Sequence, residues 1–293
     1  MIGINLILYL LALLLALHLL QLIKARFFPG PQSEEGFFSY MPERTASIAH
    51  RGSSSSRPEN TIKAFTLGLR EGAVGLELDI RLTADRQVVV FHDESLDRIT
   101  EASGQLEDYS LEELQQLDAG YNFKAGNEYP FRGMGYTIPS LREVLKAFPQ
   151  TPIIIEIKRE ERDIIPPLRD DIRSTEAENR VAVATEDDKT IKRLRKDAPE
   201  IVTGMARKEG IIFYLLAHLG LAGWMNWSFD GLFIPPSYGR LPLLTLPLRR
   251  AARATGLPIF LWTINCKEAM QRCLDLKIDG IITDYPDRLE QLL

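Results

Sequence analysis

The sequence predicts an α/β protein, a (β/α)8 TIM barrel with a small inserted subdomain, preceded by an N-terminal transmembrane helix. Three observations carry this. Short β-branched runs alternate with amphipathic helical patterns over about 250 residues. The runs are almost continuously apolar, as in a parallel sheet covered on both faces. Ile2 to Ile23 contain no charged side chain. The 293 residues carry 35 Lys and Arg against 40 Asp and Glu, a net charge of −5. No dense basic cluster with interleaved aromatics occurs, so nucleic acid is not an expected partner.

The N-terminal stretch comes first. At 1.5 Å per residue it reaches about 33 Å, enough to cross a bilayer. No Lys or Arg precedes it and no Ala-x-Ala-like site follows, which favours an uncleaved anchor over residues 1–26 rather than a cleaved signal peptide. Lys24 and Arg26 follow the span, and the positive-inside tendency places them and the remaining chain in the cytoplasm. Residues 27–44 mix Pro, Gly and acids without periodicity and read as a linker to a domain over 45–293.

Nine runs read as strands: 46–50, 74–80, 87–93, 152–158, 180–185, 200–204, 231–236, 258–264 and 279–283. A barrel has eight places, and the surplus is expected at 200–204 or among the last two. Helical patterns fill the spaces, among them "TIKAFTLGLREG", "SLREVLKAF", "TIKRLRKDA", "LPLRRAARATG" and "KEAMQRCLDL". The link from Asp79 to Gln87 is too short for a helix, so the chain returns in extended form. Residues 94–138 read as an insertion with a helix of its own, at the face where long strand-to-helix segments build catalytic sites. Cys266 and Cys273, seven apart in a helical pattern, suit core packing and not a disulfide or zinc site.

Polar residues gather at the carboxyl ends of four runs. Glu77 and Asp79 are two apart, so both carboxylates leave one face of a strand. Glu156 and Lys158 repeat the spacing, His50 and Arg51 end the first run, and His92 and Asp93 end the third. In a barrel these ends face one bowl. Acids beneath so much Val and Ile cost several kcal/mol each unless paired or ligated. Glu77, Asp79 and Glu156 form an all-oxygen set suited to Mg2+ or Ca2+. Arg51 and Lys158 then suit an anion, and a cation beside two fixed positive charges describes a phosphate site. His18 lies in the anchor and His218 in an apolar segment, leaving His50 and His92 for proton transfer. Structural salt bridges from the acids to Arg81 or Lys158 are the plain alternative for each residue taken singly. No GxGxxG or Walker pattern supports nucleotide binding.

The chain resembles the glycerophosphodiester phosphodiesterases. The matching segments are "HRG" with "PENT", "LELDIRLTADRQVVVFHD", "IPSLREVL", "IEIK", "LWTIN" and "DGIITDYP", in order over residues 48–287. The resemblance implies a barrel with an inserted subdomain, a divalent metal at Glu77, Asp79 and Glu156, and acid–base histidines at His50 and His92. It implies phosphate contacts from Arg51 and Lys158, Glu59 in or beside the site, and Trp262 lining the substrate pocket. "ATEDD" stands where the family often has Ser-Phe after the fifth strand. The expected reaction is hydrolysis of a glycerophosphodiester to an alcohol and glycerol phosphate. Direct attack by water and a cyclic phosphate formed by a substrate hydroxyl are both compatible with these residues. A non-catalytic, membrane-tethered phosphodiester-binding protein and a sugar-phosphate isomerase are the competing readings; the first would lack a histidine or a carboxylate, and the second gives no reason for two strand-end histidines.

Residues 211–227, "IIFYLLAHLGLAGWMNW", are uncharged and too short for a comfortable span. They read either as a buried helix of the outer layer or as an interfacial segment dipping Phe213, Leu216, Leu219 and Trp224 into lipid. With the anchor, the second reading suggests a lysophospholipid substrate, as for membrane-bound relatives of lysophospholipase D type, which yield lysophosphatidic acid and a head-group alcohol.

Overall fold

The computed structural model describes residues 2–28, 30, 36–158 and 163–293, with side chains from residue 6 onward. The chain runs α1 (Ile2–Phe27), β1 (Ala46–His50), α2 (Ile62–Arg70), β2 (Gly75–Leu82), β3 (Val88–Val90), α3 (Leu111–Gln115), α4 (Leu141–Ala147), β4 (Ile153–Ile157), α5 (Ile165–Ser174), β5 (Val181–Ala184), α6 (Asp188–Asp197), β6 (Val202–Thr203) and α7 (Arg207–His218). It continues through β7 (Leu232–Ile234), β8 (Ser237–Tyr238), β9 (Leu241–Pro242), α8 (Leu246–Thr255), β10 (Ile259–Leu261), α9 (Lys267–Asp275), β11 (Gly280–Thr283) and α10 (Pro286–Glu290).

Eight strands run parallel in the order β6-β5-β4-β2-β1-β11-β10-β7, and a parallel bridge between Gly204 and Gly231 joins β6 to β7 and closes the barrel. Five of the described helices, α2, α3, α4, α6 and α8, start where the sequence offers a side-chain cap. Thr61, Ser110, Ser140, Asp187 and Thr245 each accept a first-turn backbone N–H, and Ser110 and Ser140 complete capping boxes with Glu113 and Glu143. The cap and helix patterns had no counterpart at α5, whose Pro166 and Pro167 fall in the first turn, where the missing N–H groups cost nothing.

The surplus strand is not where it was expected. Residues 202–203, 259–261 and 280–283 all belong to the barrel, whereas Val88–Val90 pairs antiparallel with β2, Ile80 opposite Val90 and Leu82 opposite Val88. The short link dictates this: Thr83 accepts from Gln87 N–H through its hydroxyl, Arg86 turns in the left-handed region at φ 59°, and the chain folds back on β2. The descending β3 leads into an insertion with its own small core of Phe91, Leu96, Leu106, Leu114, Tyr136 and Ile138.

Inside the barrel, Ile48, Ile154, Ala182, Phe260 and Ile282 pack with Phe37 and Phe38. Part of residues 27–44 is therefore packed structure: Gly36–Tyr40 forms a 3-10 turn, and Phe37 is fully buried against Phe260. Residues 29 and 31–35 of that stretch lie outside the described residues. Outside the barrel, one apolar cluster joins β2, β4 and β5 to α2, α4, α5 and α6, and another joins β7, β10 and β11 to α7, α8 and α9. Fully buried Leu76, Leu78, Ile80 and Ile155 are typical, each contributing about 1.5–3 kcal/mol by leaving water. Cys273 joins the second cluster, but Cys266 is exposed just ahead of α9, because the helix begins at Lys267, after it.

Candidate active site

Strand register assembles the site. Across β1 and β2, His50 is the partner of Glu77; across β2 and β4, Asp79 is the partner of Glu156. Because Glu77 and Asp79 leave the same face, three carboxylates converge at the carboxyl end of the barrel, with an oxygen from each within 4.8 Å of the others. Asp79 is wholly buried, Glu77 nearly so, and Glu156 is partly exposed. Lys158, one step beyond β4, bridges Asp79 Oδ1 at 2.9 Å and Glu156 Oε1 at 2.7 Å. Arg51 Nε lies 2.9 Å from Asp79 Oδ2, and Asn60 Nδ2 donates to the same oxygen at 2.9 Å.

The turn after β1 makes this possible. Arg51 adopts a left-handed backbone, φ 56°, a conformation that costs a non-glycine residue about 1–3 kcal/mol unless its surroundings hold it. Here its N–H donates to the Glu77 side chain at 3.2 Å, and Asn60 N–H closes the loop onto the Arg51 carbonyl. Gly52 follows at φ 83°, and a Cβ there would sit 2.5 Å from the Ala64 carbonyl carbon, so the turn presses directly on α2.

Both imidazoles are oriented by acids. His50 Nδ1 is 2.6 Å from Asp284 Oδ1, and its Nε2 faces Glu77 Oε2 at 3.8 Å. Asp284 is itself held by the Ser54 hydroxyl at 2.8 Å and by Asn265 Nδ2 at 2.6 Å. His92 Nδ1 is 2.5 Å from Asp93 Oδ1, and Arg98 ties Asp93 to Glu59, which also receives Arg51 Nη1 at 2.9 Å. A carboxylate on Nδ1 places the ring proton there and leaves Nε2 to exchange protons. His92 does not end a barrel strand. It enters the bowl on the return of the β2–β3 hairpin, with Phe91 N–H on the Asp79 carbonyl and the His92 carbonyl accepting from Arg81 Nε.

The electrostatics show what the set lacks. Burial first, then the neighbouring Asp79 charge, push the Glu77 carboxyl up to about 8. Burial opposes ionisation of Asp79 as well, but Arg51 and Lys158 outweigh it and hold that carboxyl below its ordinary range. Burial also works against a charged His50, yet Glu77 and Asp284 raise it; burial lowers His92, helped by Arg51 and Lys158. Three inner acids thus share two fixed cations. Asp79 Oδ1, buried, meets Lys158 off the line of a hydrogen bond and keeps acceptor capacity. An oxygen-only donor set with an under-satisfied buried oxygen and a carboxyl driven to keep its proton fits a hard cation.

The structure brings His50, Arg51, Glu59, Glu77, Asp79, Glu156 and Lys158 together, and sets His92 within electrostatic reach of Asp79, Arg51 and Lys158. Trp262 stands one step beyond β10. Its N–H donates to the Ile234 carbonyl and its partly buried side chain packs with the apolar cluster inside the barrel. Sequence reasoning assigned no role to Asp284, Asn265, Ser54, Asn60 or Arg98. Asp284 stands in "DGIITDYP", where an acid directly after an apolar strand carried the same signal as Asp93.

Comparison with known proteins identifies the family. Residues 50–288 match the model of the glycerophosphoryl diester phosphodiesterase family. A glycerophosphodiester phosphodiesterase of Caldanaerobacter subterraneus subsp. tengcongensis is 32% identical over 255 residues, 85% of this chain and 98% of the relative. Human lysophospholipase D GDPD1 is 27% identical over 267 residues, 84% of this chain and 85% of the relative. Among solved structures, the glycerophosphodiester phosphodiesterase of Agrobacterium tumefaciens C58 superposes with a TM-score of 0.70 at 25% identity, covering 84% of this chain and 99% of that one. An Oleispira antarctica phosphodiesterase in complex with the product sn-glycerol-3-phosphate superposes with a TM-score of 0.69 at 25% identity, covering 87% of this chain and 97% of that one. By family model, curated relatives and fold, the chain belongs to the glycerophosphoryl diester phosphodiesterase family.

Proposed function

We propose that the protein is a metal-dependent glycerophosphodiester phosphodiesterase, releasing an alcohol and glycerol phosphate. The observation that carries the reading is the meeting of three carboxylates, two acid-oriented imidazoles and the Arg51 and Lys158 charges at one barrel mouth. Glu77, Asp79 and Glu156 would hold one Mg2+ or Ca2+, which when bound supplies Lewis-acid stabilisation of phosphoryl oxygens. Arg51 and Lys158 bind and orient the phosphate. One of His50 and His92 takes a proton from the attacking hydroxyl at its Nε2, and the other gives one to the leaving alkoxide as the P–O bond breaks. Asp284 and Asp93 keep each ring in register for that exchange, and Glu59 fixes the Arg51 fork. Trp262, whose partly buried side chain packs with the apolar cluster inside the barrel, is the residue proposed to line the substrate pocket.

A second reading concerns the substrate's acyl chain. The similarity to a lysophospholipase D, together with an apolar α1 and an apolar outer face on α7, supports lysophospholipids as substrates. In this reading α1 is an uncleaved, single-pass anchor, and Lys24 and Arg26 hold the catalytic domain on the cytoplasmic side. Mass spectrometry of products from glycerophosphocholine, glycerophosphoethanolamine and their lyso-lipids tests both. Glycerol phosphate or its acylated form is expected with Mg2+ or Ca2+ present; full turnover in excess chelator would remove the metal from the account.

A further inference from the structure

α1 is not a free tether. Its Leu14, Leu17, His18, Gln21, Lys24 and Ala25 form one partly or fully buried stripe, while Leu15, Leu19, Leu22, Ile23 and Phe27 on other faces are exposed. The stripe packs on α8 and on the 3-10 turn Ala222–Trp224 that follows α7. Small residues let it come close: a Cβ at Gly220 would stand 3.0 Å from Leu17 and His18 backbone, and one at Gly223 would stand 3.2 Å from Gln21.

The polar residues of this stripe set the depth. Between Leu10 and Ile23, His18 and Gln21 interrupt an otherwise apolar run, and in hydrocarbon each would need a partner. Both find one on the barrel. His18 Nε2 lies 2.9 Å from the His218 carbonyl. Gln21, almost fully buried, donates to the Pro247 carbonyl at 3.5 Å in one amide orientation; in the other, which satisfies both ends of the amide, it donates to the Gly220 carbonyl at 2.9 Å and accepts from Ala251 N–H at 3.0 Å. Lys24 donates to the Gly223 carbonyl at 2.5 Å and lies 5.0 Å over the Trp224 ring, an amphipathic pair suited to the head-group level. Leu17 and His18 precede Lys24 by six or seven residues, so Gly220 sits about 10 Å further into the span at 1.5 Å per residue.

The surface beside Gly220 matches that depth. On α7, Ile211 (56% exposed), Ile212 (49%), Leu215 (56%) and Leu219 (42%) share one outward face, and Trp224 and Met225 continue it. Phe213 and Leu216, expected to reach lipid, instead pack in the core, because the helix turns their side inward against Trp227 and Phe229. From these observations we propose that the α7 flank of the barrel is itself lipid-immersed, sunk into the outer part of the leaflet that α1 enters and locked there by His18, Gln21 and Lys24.

The inference rests on α1 being a membrane-spanning anchor, and the test separates the two. The full chain is reconstituted into phosphatidylcholine vesicles whose acyl chains carry bromine near the head-group end or near the terminal methyl, and tryptophan emission is recorded for the parent chain and Trp224→Phe. Co-flotation is expected, with the Trp224 share of the emission quenched more strongly by the shallow bromine than by the deep one. Leu215→Glu is expected to reduce that quench at unchanged co-flotation. Failure to float would overturn the anchor and the inference together. Co-flotation with equal quenching of the parent and Trp224→Phe would overturn the immersed flank alone. So would self-association abolished by Leu215→Glu, which would assign the face to a second copy.

Discussion

The arc of the barrel from β11 through β1 and β2 to β4 differs from the arc from β6 through β7 to β10 in what each does with its side chains. The first has strands of four to eight residues and carries His50, Arg51, Glu77, Asp79, Glu156 and Lys158 on its strands or one step beyond them, with His92 added by the hairpin that folds back on β2. The second has strands of two or three residues and packs mainly apolar side chains, with an outer face that docks α1. The difference has a physical basis. Placing six ionisable groups within a few ångströms demands long, densely bonded ladders that fix register, since a slip of one residue would turn Glu77 and Asp79 away from the bowl. Holding a hydrophobic cluster demands only volume and shape.

The comparison breaks most sharply at the imidazoles. His50→Ala or His92→Ala is expected to lower kcat by about 10²–10⁴-fold while leaving thermal unfolding nearly unchanged. Steady-state hydrolysis of glycerophosphocholine beside calorimetry checks it, and normal turnover in either variant would refute the acid–base assignment. The converse holds in the apolar arc. Phe213, fully buried with Trp227 4.9 Å away, should lose about 3–5 kcal/mol of stability as Phe213→Ala, with the specific activity of the folded fraction retained. Denaturant unfolding reads the first part and active-site titration the second.

Asp284→Ala sharpens the contrast within the polar arc, because Asp284 touches His50 and no reacting group. A loss of roughly 10–100-fold in kcat with KM little changed is expected, together with a shifted pH profile. Unchanged kcat and pH profile would show that His50 needs no orientation.

The smallest effect concerns Glu77, whose carboxyl is raised from 4.5 to about 8. In the chelated protein it keeps its proton when folded and loses it when unfolded across that interval. The folded state then binds more protons, so this group's contribution to stability falls as pH rises from 4.5 to about 8 and levels off above. A divalent ion takes the ionised form, so the rise in Tm on adding Mg2+ should be larger at pH 8 than at pH 6. Equal rises would show that Glu77 is not a ligand.

Much of the polar arc was legible because its signals are local. A period of two puts Glu77 with Asp79, and apolar strands ending in His, Glu or Lys mark one rim. What was hidden depends on tertiary register. The third run resembles a barrel strand in composition, and only the eight-residue reach from Asp79 to Gln87 hints that it folds back. Asp284, braced by Asn265, meets His50 across more than two hundred residues of chain, a contact no local pattern encodes. On α7, composition announced an apolar helix but not which face turns inward, so Phe213 and Ile212 could not be told apart until Trp227 and Phe229 were in place.

The most direct test of the central claim, that three carboxylates from neighbouring strands hold one divalent ion between two imidazoles, is anomalous scattering from crystals grown with Mn2+. A single strong peak is expected among Glu77, Asp79 and Glu156, lost in Glu77→Gln. A peak elsewhere in the molecule, or one that persists unchanged in that variant, would contradict the account.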